Sequence, residues 1–263
     1  MISLLLPTLG RREKELIRLF ESLENQTYKD FEVIVVSQGN HDIVKNCLSK
    51  FDFKYTHIVS DTIGLSIARN IGLKHINGDI YTLSDDDCWY ENDSLEFVNN
   101  FFKQHDSDIA CFQYYDLDRK IYAKEYPKEA IYDFPKMRVL KQASIDIYIN
   151  TSKVKDYTIG FDERFGVGGR YNSGEENIYL MDLKNLGYKF DYYPKILAYH
   201  EVRENDYLDD KSFVAKAALF KRLFGRYKGL IMYTAFAAKK FSKVDNVIKL
   251  YLKGIKEYFK FKL

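Results

Sequence analysis

The first ninety residues alternate between short, nearly continuous apolar runs and longer stretches with helical spacing. Residues 2–7 (ISLLLP) form an apolar run closed by proline. Residues 12–25 then carry Leu16, Leu19, Phe20 and Leu23 three or four positions apart, the spacing that lines one face of a helix. Residues 31–36 (FEVIVV) form a second run, of the kind found where both faces of a parallel strand are covered, and Ser37-Gln38-Gly39-Asn40 follows it with turn chemistry. A helix over about 42–51, a strand near 55–59, a helix over 67–76 ended by Asn77-Gly78 and a strand over 80–84 continue the alternation. It predicts right-handed strand–helix–strand units and a parallel sheet with helices on both faces.

Beyond residue 105 the pattern loosens. Residues 106–150 are rich in tyrosine, with strands expected near 109–115 and 143–149. Gly166-Val167-Gly168-Gly169 precedes an acidic cluster and a helix over 175–186 that Gly187 stops, and two short strands, 188–192 and 196–199, flank Pro194. From Lys211 onward Phe213, Ala217, Phe220, Leu223 and Phe224, and later Val247, Leu250, Tyr251, Ile255, Tyr258 and Phe259, recur at helical spacing among lysines. The expected division is a body of residues 1–210, in halves 1–105 and 106–210, and a helical extension over 211–263, with the boundary near 205–215.

With 263 residues, 46% hydrophobic and 30% charged, the chain suits one substantial core and excludes disordered, fibrous and disulfide-scaffold classes. Cys47, Cys88 and Cys111 show no C-x-x-C spacing, which argues against a zinc site and fits a reducing compartment. The net charge of +2 conceals an asymmetry: residues 221–263 hold twelve Lys or Arg against Asp245 and Glu257, leaving +10 there and −8 on the first 220 residues. The longest apolar stretch of the extension, residues 229–238, is about half the ~20 residues that a spanning helix needs. An amphipathic, lysine-rich extension fits the surface of an anionic membrane, and equally a helical cap with a solvated basic face. No nucleic-acid recognition motif accompanies these charges. The apolar opening lacks the basic flank of a secretory leader, so the expected location is cytoplasmic, with the inner face of the cell membrane as the docking alternative.

The chemistry concentrates at Asp85-Asp86-Asp87, which follows the apolar strand IYTL. Three carboxylates at the carboxyl end of a parallel strand, where α/β sheets bind ligands, repel one another without a cation. Mg²⁺ and Mn²⁺ accept one or two carboxylates together with substrate phosphates, so a diphosphate is the natural companion. A solvated acidic turn or helix start would use the same residues.

Pro7-Thr8-x-x-Arg11, the segment GLSIARNIGLKHINGDIYTLSDDDCWY and the segment FGVGGRYNSGEENIYLMDLKNLGYKFDYYPKILAYHE, in that order, resemble the family-2 glycosyltransferases. The resemblance implies a GT-A fold, a Rossmann-like, mixed and mainly parallel sheet that binds a nucleotide-sugar, and an inverting transfer from a nucleoside diphosphate-sugar, UDP-sugar favoured, to a glycan or lipid-linked acceptor in bacterial surface polysaccharide assembly. In its terms the triplet is a D-x-D motif: Asp87 would ligate Mn²⁺ or Mg²⁺, Asp85 would meet the nucleotide, and Asp86 would lie beside it. Pro7, Thr8, Arg11, Ser37, Gln38, Arg69 and Asn70 would complete the donor site. His200, at a strand end, would reach the metal or the phosphates. Trp89 and Tyr90 would stack on the acceptor, or pack behind the loop. Glu176, with Glu175 as its alternative, would be the general base, although a Glu pair also suits the first turn of a helix. The chain departs from the family pattern at Ser37, where relatives carry an acid, and at Ile178. These departures keep open a catalytically idle nucleotide- or glycan-binding module. A metal-dependent nucleotidyltransferase is a further rival, though its Gly- and Lys-rich phosphate loop is not evident.

Overall fold

A computed structural model describes residues 1–202, 209–242 and 244–263. The early alternation becomes β1 (Ile2–Thr8), α1 (Glu13–Glu24), β2 (Phe31–Ser37), α2 (His41–Leu48), β3 (Lys54–Val59), α3 (Leu65–Leu73) and β4 (Ile80–Leu83). There follow β5 (Trp89–Tyr90), α4 (Ser94–Gln104), β6 (Ile109–Asp116), β7 (Ile121–Tyr122), α5 (Lys136–Val139), β8 (Ile147–Asn150), α6 (Glu175–Asn185), β9 (Phe190–Tyr199), α7 (Asp210–Lys239) and α8 (Val247–Lys260). Among the described residues nine strands form one sheet in the order β3-β2-β1-β4-β8-β6-β9-β5, with β7 paired to β6.

β3, β2, β1 and β4 are mutually parallel, as the alternation predicts. Beyond β4 the sheet is mixed, as the family resemblance implies: β8 enters antiparallel between β4 and β6, β6 runs parallel to β9, and β5 is antiparallel to β9. Periodicity marks a strand but not the direction from which it returns to the sheet. The two strands expected around Pro194 are one, β9. Its register against β6 jumps from Cys111↔Tyr192 to Gln113↔Ile196, so residues 193–195 form a bulge in which the missing N–H of proline leaves no ladder partner unsatisfied.

The apolar runs of β1 and β2 are buried along their whole length because the sheet is covered on both faces. Leu5, Ile34 and Val36 face one core with Tyr81, Tyr179 and Leu183, while Leu4, Leu6, Val33 and Val35 face a second with Leu16, Leu19, Val44 and Val98. Gly72 lets α3 lie directly on β1: a Cβ there would fall 1.9 Å from Leu5 Cδ1 and 3.3 Å from Val36 Cγ2. Gly72→Ala is therefore expected to lower the stability by about 1–3 kcal/mol, the usual result of overfilling a packed core, read as a lower urea midpoint with an unchanged slope.

Of the expected boundary region, residues 203–208 lie outside the described residues. The C-terminal helices are joined to the body. Ala218, Leu219, Leu223 and Phe261 belong to its first core, and Arg222 binds Asp182 at 3.0 Å and Asp162 at 3.1 Å. The buried Lys221 Nζ donates to the Tyr258 and Phe261 carbonyls at 2.8 and 2.6 Å, closing the end of α8. α7 is two helical segments, broken at Gly225 (φ 75°, ψ −174°), which takes a left-handed φ that L side chains rarely adopt.

Candidate active site

Because β1 and β4 are parallel neighbours with Leu5 opposite Leu83, their carboxyl ends emerge side by side. This brings Thr8 to the acidic triplet, and the Thr8 hydroxyl donates to Asp86 Oδ2 at 2.7 Å. The Thr8 hydroxyl oxygen in turn accepts from the Gly10 N–H at 3.0 Å, where the chain turns with φ +63°. Arg12 reaches across the opening to Asp86 at 3.3 Å and to Asp87, and Arg18 donates to the Asp87 carbonyl at 3.0 Å. β9 delivers His200, whose Nε2 lies 3.1 Å from Asp87 Oδ1. Pro7, Thr8, Arg11, Arg12, Gln38, Asp85, Asp86, Asp87 and His200 thus share one cleft of about 380 Å³, closed on its far side by Ile63, Gly64, Leu65 and Val167.

The electrostatics separate the carboxylates. Burial alone would raise Asp87, but the hydrogen bond and charge of His200, with Arg12, outweigh it and hold the group below the usual carboxylate range. Burial pushes Asp86 up, and the hydrogen bond from Thr8 and the charge of Arg12 offset this only in part. His200 would be lowered by burial, yet the hydrogen bond and charge of Asp87 raise it.

A second acidic centre lies beside the first. α6 starts after Gly174 (φ +95°), placing Glu175 and Glu176 in its first turn. Arg69, from α3, is 1% exposed and spans the two centres: Nη1 is 3.0 Å from Glu175 Oε1 and Nη2 is 3.4 Å from Asp85 Oδ1. Ser144 Oγ donates to the other Asp85 oxygen at 2.9 Å. With Glu175 held by the guanidinium, Glu176 is raised above its ordinary range by desolvation and by the neighbouring Glu175 charge. Arg69→Met would leave the Glu175 carboxylate buried without its partner. We expect a loss of about 3–5 kcal/mol, read by urea unfolding, with Arg69→Lys recovering only part of it because an ammonium cannot fork between two acids.

The remaining sequence candidates fall in different places. Gln38 clamps the cleft wall, donating to the Gly64 carbonyl at 3.1 Å and accepting from its N–H at 3.3 Å. Ser37 is buried behind it, its hydroxyl bonded with His41 Nδ1 at 2.7 Å and His57 Nε2 at 2.8 Å. Asn70 ties α3 to the distant loop that precedes α6 through Phe161 N–H at 2.6 Å, Phe161 carbonyl at 2.9 Å and Glu163 at 3.0 Å. Trp89 carries Arg18 on its ring at 3.6 Å and Tyr199 at 5.6 Å, and Tyr90 is buried with its hydroxyl on Ser84 Oγ at 3.0 Å. Of the predicted residues, Ser37, Arg69, Asn70, Trp89, Tyr90, Glu175 and Glu176 are not among those lining the cleft. Arg12 lines it, and Arg18 and Ser144 touch the triplet, three residues that the sequence did not single out.

Among the described residues, no three His, Cys, Asp or Glu form a set able to hold a metal ion alone. Asp87 Oδ1 and His200 Nε2 nevertheless converge at the cleft, one hard oxygen and one imidazole. Such a pair would supply two ligands to a divalent ion that also binds phosphate.

A family model described as Glycosyl transferase family 2 matches residues 3–172. The chain is 33% identical over 109 residues to glycosyltransferase GlyA of Streptococcus pneumoniae, covering 40% of this chain and 16% of that protein. It is 24% identical over 187 residues to the poly(ribitol-phosphate) beta-N-acetylglucosaminyltransferase TarS of Staphylococcus aureus, covering 68% of this chain and 31% of TarS. The chain thus matches a minor part of the length of either relative. The crystal structure of S. aureus TarS 1–349 in complex with UDP-GlcNAc shares the fold, with a TM-score of 0.71 at 19% identity over 98% of this chain and 80% of that one. So does the mannosyltransferase PcManGT of Pyrobaculum calidifontis in complex with GDP-Man and Mn²⁺, with a TM-score of 0.61 at 13% identity over 98% of this chain and 80% of that one.

Proposed function

This chain belongs to glycosyltransferase family 2 and has a GT-A fold, and from that premise we propose that it transfers a sugar from a nucleoside diphosphate donor to an acceptor hydroxyl. The observation that carries this reading is the buried Arg69 bridge, which fixes a donor-side carboxylate, Asp85, and the acidic first turn of α6 in one rigid arrangement.

In this reading Thr8, Arg11 and Gln38 line the nucleotide's path, and Arg12 meets the diphosphate with a planar donor fork. Asp87 and His200 would hold Mn²⁺ or Mg²⁺, and Asp86 stays beside them, tethered to Thr8. When bound, the ion supplies charge stabilisation to the departing nucleoside diphosphate. Glu176 accepts the proton of the acceptor hydroxyl while its oxygen attacks the anomeric carbon. The C–O bond to the diphosphate breaks, the leaving group takes the electron pair, and the single displacement inverts the centre. The TarS domain of like fold holds UDP-GlcNAc, which favours a UDP-sugar here. The acceptor is a glycan or lipid-linked glycan of a bacterial surface polysaccharide, met on the cytoplasmic side.

Calorimetry with UDP, GDP, dTDP and CMP, each with and without Mn²⁺, tests the donor site. One nucleoside diphosphate should bind in the micromolar range and bind more tightly with the metal. If none binds under either condition, the donor-site reading fails and the idle module stands in its place.

A further inference from the structure

The two C-terminal helices carry two apolar faces, and the fold uses only one of them. Phe213, Ala217 and Tyr233 of α7 and Val247, Leu250 and Tyr258 of α8 pack into a small core between the helices. The second face points outward. On α8, Ile248, Leu252 and Phe259 are 64%, 57% and 61% exposed at spacings of four and seven. On α7, Tyr227 and Ile231 are exposed on the line that continues through Thr234 and Ala238 to the exposed Phe241 in the following turn.

The two lines meet. Thr234 Oγ1 and the Tyr251 hydroxyl lie 2.9 Å apart, and a groove of about 180 Å³ runs between the helices there, walled by Ala238, Phe241, Val247, Ile248 and Tyr251. Scattered exposed leucines and isoleucines are ordinary on a protein surface, but a connected stripe over two helices marks an interaction face. Its rim is basic: Lys249, Lys253, Lys256 and Lys260 of α8, with Lys228 and Lys239 of α7, are exposed. Of the two acidic residues in 221–263, Glu257 is taken by Arg170 at 2.6 Å and the Tyr171 hydroxyl at 2.7 Å.

We propose that this face rests on a bilayer leaflet carrying anionic lipid headgroups, the apolar line entering the headgroup boundary and the lysines meeting the phosphates. Among the described residues no helix is long and apolar enough to cross a membrane, so the contact is peripheral. A second copy of the chain is the poorer occupant, since each copy would bring the same rim of exposed lysines to the interface. The inference stands apart from the sugar-transfer reading, and its test uses no nucleotide turnover.

The test is co-sedimentation of the full chain with vesicles of phosphatidylcholine alone and of phosphatidylcholine mixed with phosphatidylglycerol. Partition into the mixed vesicles should exceed that into the neutral ones by about a hundredfold or more and should fall as salt is raised. Lys249→Gln with Lys253→Gln should weaken it roughly twenty-fivefold, at about a fivefold loss per lysine. Ile248→Glu with Leu252→Glu should abolish it, while the melting temperature and UDP binding stay as in the parent. The proposal is overturned if the parent chain does not sediment with the mixed vesicles, or if the Glu pair sediments as the parent does. It is also overturned if the parent is a dimer that the Glu pair dissolves, which would assign the face to a second copy.

Discussion

Replacing Asp87 by alanine is expected to remove the dependence of nucleotide binding on Mn²⁺ and to lower the rate of sugar transfer by about 10²–10³-fold, the usual scale for losing one preorganised stabiliser of a leaving group. The reasoning begins with the carboxylate itself. Asp87 is held ionised by His200 and Arg12 although burial opposes it, so it presents a full negative charge to an incoming cation. No neighbour can replace it. Asp85 is engaged by Arg69 and Ser144, and Asp86 is tethered to Thr8 and raised by burial where Asp87 is lowered. Metal-free UDP binding should change much less, because Thr8, Gln38 and Arg11 line the cleft independently of Asp87. Calorimetry on the parent and on Asp87→Ala, with and without Mn²⁺, reads both quantities, and thermal melting confirms that the variant is folded. If Mn²⁺ strengthens UDP binding equally in the two proteins, the ion is held elsewhere and Asp87 serves only to orient His200 and Arg12. If the parent binds UDP but cleaves no UDP-sugar with any acceptor or water, the chain is the idle module.

Much of this site could be read from the chain because its parts are local in sequence. The strand IYTL running into three Asp places the carboxylates at a strand end by period alone. The helix start at Glu175 was likewise legible from Gly174 and the apolar run that follows. What joins the two centres was not. The resemblance places Arg69 in the donor site, and only folding reveals that α3 buries it between Asp85 and Glu175, 106 residues away from the latter. Adjacent Arg11 and Arg12 cannot be told apart without the turn at Gly10, which sends Arg12 to the triplet. The periodicity reading assigns no helix to α4, although its buried Leu95, Val98 and Phe101 lie at helical spacing. In the extension the apolar residues were recognised, but which of them face inward depends on how α7 and α8 pack. Leu250 and Tyr258 are buried, and Ile248 and Phe259 are not.

Glu176→Gln should produce the other large effect, a fall in turnover of about 10²–10⁴-fold with donor binding intact, the range for losing a positioned general base. The substitution keeps the size of the side chain and removes only its capacity to accept the acceptor's proton. Its neighbour cannot take over easily, because Glu175 is buried and its carboxylate is committed to Arg69 at 3.0 Å. The pH profile distinguishes this role from a structural one. Desolvation, reinforced by the charge of Glu175, raises the Glu176 carboxyl, so the group is protonated and inactive at low pH and becomes a base only as the pH rises through a value above the ordinary carboxylate range. The parent's rate should therefore climb over an interval displaced upward from that of a free Glu, and the residual rate of Glu176→Gln should show no such limb. Glu176→Asp, which keeps the carboxylate but shortens its reach, should recover part of the rate and retain the limb. A Glu176→Gln protein that keeps the parent's rate and limb would move the base elsewhere, with Glu175 the next carboxylate to test. Loss of UDP binding in the same variant would instead show that the first turn of α6 shapes the donor cleft rather than deprotonating the acceptor.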